Sequence, residues 1–191
     1  MLFCSGMYVG QVLRPSPAPV IVVQPATVPP VPVVVETPTP PVMPAMIWSA
    51  TVREVSSQWG SDDWSAKRAL GAPDVYPAGG DQVNAWASLG ADDRTEILEL
   101  GLGRAARVSA VEVYETFNPG AVSQIELIGA SGARVVAHRA RAERLGSEAR
   151  VLRAEVACTS EPIVAVRVTI DSRAVEGWNE IDAVGVQPCG E

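Results

Sequence analysis

The sequence predicts an all-β fold, an antiparallel β-sandwich carried behind an extended proline-rich N-terminal segment. Three observations support this. Eight short runs rich in valine and isoleucine recur after residue 46, turn-forming residues separate them, and only one brief stretch has helical character. Strands do not alternate with helices, so a doubly wound α/β arrangement is disfavoured.

The N-terminal quarter differs from the rest. Eleven of the 16 prolines lie between Pro15 and Pro44, and the first 46 residues hold only two charged side chains, Arg14 and Glu36. Proline spaced by Val, Ala and Thr, as in Val28-Pro29-Pro30-Val31-Pro32, favours polyproline II, a semi-rigid extended chain. Residues 15–46 therefore read as a linker or stalk. Residues 1–14 read as the remnant of an export or lipoprotein signal: Leu2, Ser5 and Gly6 around Cys4 make that cysteine a lipidation candidate, although Phe3 is larger than the residue such sites place before the cysteine. Every valine-rich run is cut by proline, so no stretch has the continuous apolar length of a membrane-spanning helix.

The domain is expected over 47–191. A segment of about 145 residues buries roughly two thirds of its unfolded surface, enough for an independent core. The strand-like runs are Trp48–Val55, Thr95–Leu100, Arg107–Tyr114, Val122–Ile128, Arg134–His138, Val151–Val156, Val164–Ile170 and Ile181–Val186. Asn118-Pro119-Gly120, Ser131-Gly132 and Glu176-Gly177 supply turns between them. The helical stretch is Ser65–Leu70, with Asp62 or Asp63 as the expected cap and Gly71 as the stop.

The net charge of −7 comes wholly from this domain, where arginines and glutamates are interleaved. Nucleic acid is an unsuitable partner, because phosphate binding needs a clustered basic face. One histidine, His138, and three cysteines without a CxxC pair are too few for a zinc site. Cys158 and Cys189 flank the last third of the domain and are the disulfide candidate. His138 reads as a strand-face residue rather than a general base. Glu96 and Glu99, three apart on a strand, point to opposite faces, whereas Glu180 and Asp182 share one face of the last strand and suit either acid–base work or a hard cation.

The segment from Trp59 to Trp86 packs Trp64, Tyr76, four aspartates, Gly and Pro with few aliphatics. Long loops of this make-up are commonly functional. Indole and phenol rings backed by carboxylates and amides suit sugar recognition, since pyranose C–H faces stack on rings while hydroxyls take hydrogen bonds. Trp86, in Asn84-Ala85-Trp86-Ala87, is expected in the core.

Four stretches together resemble the discoidin-like SD scarf module of pappalysins, found also in bacterial surface proteins. They are Ser56-Ser57-Gln58-Trp59-Gly60; Ala69 to Pro77 with Asp81; Val113 to Val122; and Gly177-Trp178-Asn179-Glu180-Ile181-Asp182. The resemblance implies a galactose-binding-domain-like jelly roll with ligand loops gathered at one end, and no catalysis. It also implies a structural calcium near Asp74, Asp81 and Glu180, although Pro73-Asp74 replaces the usual Asp-Gly pair. Glu115 is the alternative structural acid, accepting backbone N–H bonds under the Asn118-Pro119-Gly120 turn.

The function expected from these observations is a non-catalytic, extracytoplasmic binding or adhesion module, secreted or associated with a bacterial cell envelope. Its ligand would be a glycan or a cell-surface protein, held by loops bearing Trp59, Trp64, Tyr76, Asn118, Trp178 and Asn179. A structural spacer or assembly domain is the second reading. A glycan-active enzyme, which would require Glu180 and Asp182 in one cleft, is the third.

Overall fold

The computed structural model describes Ser16, Pro17 and residues 44–190. Cys4, the segment 1–14 and most of the expected stalk lie outside those residues. All eight expected strands are present: β1 (Ile47–Val55), β2 (Thr95–Ala106), β3 (Val108–Phe117), β4 (Val122–Gly129), β5 (Arg134–Arg139), β6 (Arg150–Glu155), β7 (Ile163–Asp171) and β8 (Glu180–Pro188). No helix among the described residues is long and apolar enough to cross a membrane.

The strands form an antiparallel sheet in the order β5-β4-β7-β2-β1-β8-β3-β6, and β1 is where it folds over. The start of β1 pairs with β8, Ile47 opposite Val186 and Trp48 opposite Gly185, while the rest pairs with β2. Two register irregularities in β1, at Ser49/Thr51 and Val52/Glu54, provide the bend that lets one strand serve both halves. The approach at Gly185 is close: a Cβ there would stand 2.5 Å from the Trp48 ring, so only glycine lets the indole lie across β8.

Between the halves lies one aliphatic core, built from inward positions such as Leu98, Leu100, Val111, Ile125, Leu127, Val166, Val168 and Val184. On β7 and along parts of β3 and β4 these alternate with more exposed residues, the period-2 pattern that made the strands legible, whereas β8 is buried along its whole length. Cys158 and Cys189 form a disulfide with Cα atoms 5.8 Å apart. It closes a separation of 31 residues, which in the chain-entropy model contributes about 3–4 kcal/mol.

Two local expectations change. The helical stretch is a single 3-10 turn, Ala66–Ala69, whose N-cap is Ser65 with no side-chain cap bond. Asp62 and Asp63 do not cap it, because both carboxylates lie at the Arg68 guanidinium instead, at 3.3 and 3.4 Å. Strand β2 runs six residues past the expected Leu100, through Gly101-Leu102-Gly103-Arg104-Ala105-Ala106. Those residues have weak strand preference of their own and are held by neighbours, Leu102 by Ser49 and Ala106 by Ile163.

Three buried glutamates have arginine partners. Glu96 and Glu99 do face opposite ways: Glu96 accepts from the Ser56 and Ser57 hydroxyls with Arg94 at 3.6 Å, and Glu99 accepts from Arg167 at 2.8 Å. Glu115 accepts from the Gly120 N–H at 2.8 Å and from Arg150 at 2.6 Å. Its structural role under the turn is thus established. At that turn Asn118 and Gly120 both have positive φ, 45° and 113°, and a Cβ on Gly120 would collide with the Glu143 carbonyl.

Candidate ligand-binding cleft

Two carboxylates at the start of β8 organise the long loop that the sequence singles out. Asp182 accepts three consecutive backbone N–H bonds, from Asp74 and Val75 at 3.2 Å and Tyr76 at 2.9 Å. Glu180 accepts from the Gln82 N–H at 3.1 Å and from the Trp64 indole Nε1–H at 3.2 Å. The loop from Asp74 to Gln82 is therefore tied to β8 near both its ends. Beyond it, Trp86 and Ile181 exchange backbone bonds of 2.8 and 3.0 Å, which carry the chain into the core.

Three indoles then converge. Trp59, Trp64 and Trp178 line a cleft of about 110 Å³ together with Asp81, Ala87 and Glu180. Trp59 and Trp178 meet edge to face, centroids 5.2 Å apart and planes at 81°, so they form two walls of a corner. Both are held from behind: the Trp59 main-chain N–H donates to Ala87 O at 2.9 Å, and the Trp178 indole Nε1–H donates to Ser88 O at 3.1 Å. Trp64 donates its Nε1–H to both Asp81, at 3.1 Å, and Glu180. Its backbone sits at φ 51°, a conformation rare for a bulky side chain and characteristic of places where surrounding structure holds a residue for function. Trp59 is 51% exposed and forms the open rim.

The electrostatics of the floor are unusual. Glu180 is 1% exposed, and burial pushes its carboxyl up to about 8, opposed by the Gln82 N–H and reinforced by the negative Asp81 beside it. Burial also raises Asp182, against the pull of the three N–H groups it accepts.

Of the sequence-derived site residues, Trp59, Trp64, Trp178, Asp81 and Glu180 come together here. Tyr76 does not. Its ring packs edge-on against Tyr114 at 5.3 Å, and Tyr114 in turn against Trp48 at 5.7 Å, because Asp182 pins the Tyr76 backbone on the other side of the loop. Asn118 and Asn179 are buried and used internally. Asn118 donates to Trp178 O at 2.9 Å and accepts from Arg144 at 2.7 Å, and Asn179 donates to Asn118 O at 2.9 Å. They position Trp178 rather than line the cleft. Asp182 likewise does not line it, its oxygens being taken by backbone.

Asp74 is separated from the other two acids expected around calcium, since its segment faces Asp182. Among the described residues no three His, Cys, Asp or Glu side chains form a group that could hold a metal ion. Ala87, next to Trp86 in the chain, lines the cleft as well. Its small side chain leaves room between the indoles.

No curated protein matches the chain. Several solved structures share its fold. Reduced XRCC1, solved bound to the DNA polymerase β catalytic domain, is 13% identical with a TM-score of 0.57, over 76% of this chain and 100% of that one. A chitosan-binding module from a Paenibacillus sp. IK-5 chitosanase/glucanase is 18% identical with a TM-score of 0.51, over 72% and 94%. The family 32 carbohydrate-binding module of Streptococcus pneumoniae EndoD is 10% identical with a TM-score of 0.51, over 76% and 100%. Such similarities establish the architecture, an antiparallel β jelly roll. Residues 46–188 match the model of the C-terminal SD scarf domain of pappalysin-1, and the chain accordingly belongs to the SD scarf domain family.

Proposed function

We propose that the chain is a non-catalytic, extracytoplasmic binding module that takes a glycan in the cleft of Trp59, Trp64 and Trp178, with the proline-rich segment serving as its tether. The observation that carries this reading is the convergence of three indoles, two from one loop and the third from just before β8, on one open cleft backed by carboxyl groups. Rigid aromatic rings supply stacking surface at low entropic cost, and the carboxyl oxygens accept hydroxyl hydrogens. The shared fold with two carbohydrate-binding modules supports it. The disulfide suits an oxidising compartment. A cell-surface protein is the second class of ligand, favoured by the 51% exposure of Trp59 at the rim.

A thermal melt against a glycan panel tests the proposal, because a ligand that binds only the native state raises the midpoint. We expect at least one glycan to raise it, and Trp178→Ala to abolish the rise while the unliganded midpoint drops by only a few degrees. A panel with no response would remove the glycan reading and leave protein adhesion. The same melt in calcium or EDTA tests the cation: a calcium-dependent rise lost in Glu180→Gln would establish it, and coincident curves would remove it.

A further inference from the structure

Five acidic side chains are buried in the domain: Glu96, Glu99, Glu115, Glu180 and Asp182. Four are accounted for. Glu96, Glu99 and Glu115 each have an arginine within 3.6 Å, and Asp182 is saturated by three backbone N–H groups. Glu180 differs from all of them. Among the described residues neither it nor Asp81 is in an ion pair; its oxygens accept from the Gln82 N–H and the Trp64 indole, and the charged group that acts on it is a second acid, Asp81. These two carboxyl groups sit in the cleft walled by indoles, two of which stand nearly perpendicular.

A buried acid without a cationic neighbour, opening into a cleft of aromatic faces, is the arrangement that a ligand cation completes. Ring faces attract a cation through their quadrupole, carboxylates accept charge-assisted N–H bonds, and a cation beside Glu180 also opposes the burial and the like charge that hold its carboxyl protonated, so that it can ionise and accept such a bond. A quaternary ammonium would satisfy the rings but offers no N–H to the two carboxyl groups. A primary ammonium satisfies both. The exposed Trp59 face beside the cleft is a flat platform for the apolar face of the ring that carries it. Resting on the glycan reading above, we infer that the cleft selects a cationic amino sugar, its free ammonium held between Asp81 and Glu180 and enclosed by Trp64 and Trp178, its pyranose face on Trp59.

The test is isothermal titration of the full chain with three trisaccharides of one shape: glucosamine, N-acetylglucosamine and glucose trimers. We expect the glucosamine trimer to bind about tenfold or more tightly than either neutral trimer, with a preference that weakens as salt rises. Asp81 is exposed, so Asp81→Asn should fold normally, and it should bring the affinity for the glucosamine trimer to within about twofold of that for the neutral trimers measured on the same variant. Equal affinity for all three trimers, with Trp178→Ala still abolishing binding, would overturn the amino-sugar inference and leave glycan binding intact. Binding of none of them would overturn both. A lysine-rich or trimethyllysine peptide that binds when the glucosamine trimer does not would also overturn it, and would make the cleft a site for a protein cation.

Discussion

Trp86→Ala is expected to destabilise the domain by about 3–5 kcal/mol, the range for removing a fully buried tryptophan from a packed core. The residue is 0% exposed, its indole Nε1–H donates to Ser57 O at 3.1 Å, and its backbone bridges to Ile181 of β8. Truncation leaves a cavity beneath the cleft and an unsatisfied Ser57 carbonyl. Both costs fall on the same loops that hold Trp59 and Trp178. Trp86→Phe refills most of the volume and lacks only the N–H, so it should cost about 1–3 kcal/mol. Urea unfolding of the two variants separates the contributions. A loss below about 1 kcal/mol in the alanine variant would mean that the indole does not anchor the loops to the sheet.

The second large effect is a fall in stability as pH rises from about 4.5 to about 8. Folding raises the Glu180 carboxyl from 4.5 to about 8, so over that window the folded state holds a proton that the unfolded state has released. A group raised in this way contributes its stabilisation fully below its unfolded value and loses it as pH climbs through the folded one. Three or so pH units correspond to an upper range of roughly 3–5 kcal/mol, at 1.36 kcal/mol per unit. That is a drop in melting midpoint of about 6–20 °C for a domain of this size. Asp182 is raised too and acts in the same direction, beginning lower. Glu54, Asp93 and Glu161, which are exposed, are lowered by partners and act the opposite way, but at the acid end of the range. Glu180→Gln removes the titration while keeping an amide that can donate to Asp81 and accept from Gln82. Its midpoint should fall less across the window than that of the unaltered protein, keeping only the Asp182 contribution, and at pH 8 should be at least equal to it. A parallel pH profile in both proteins would place the effect elsewhere.

What was legible in the sequence follows from local rules. All eight strands were readable because Val and Ile recur with a period of two between turn residues, and inward positions such as Leu98, Val111 and Val168 must be apolar wherever they pair. The Asn118-Pro119-Gly120 turn was readable because few residues tolerate positive φ. The resemblance pointed to a meeting of Glu180 with the loop ending at Asp81, and tryptophans flanked by turn residues were separable from Trp86 in its alternating run. Strand order was not readable. It joins β1 to β8 across the whole domain, and pairings between residues so far apart leave no local trace.

That order decides the site. It brings Trp178 to Trp59 and leaves Tyr76 with Tyr114, although Tyr76 lies closer in sequence to Trp64 than Trp178 does. It gives Asp182 three backbone donors and Glu180 a like charge, although the two acids are neighbours on one strand face. It turns Asn118 and Asn179 inward, since their amides satisfy backbone groups behind Trp178 that would otherwise be buried unpaired. Composition and periodicity by themselves determined which residues form strands and which form loops. Only the tertiary structure decided which loop residues face one another, because the partners of a buried polar group are set by pairing register across distant strands, not by the group's own neighbours in the chain.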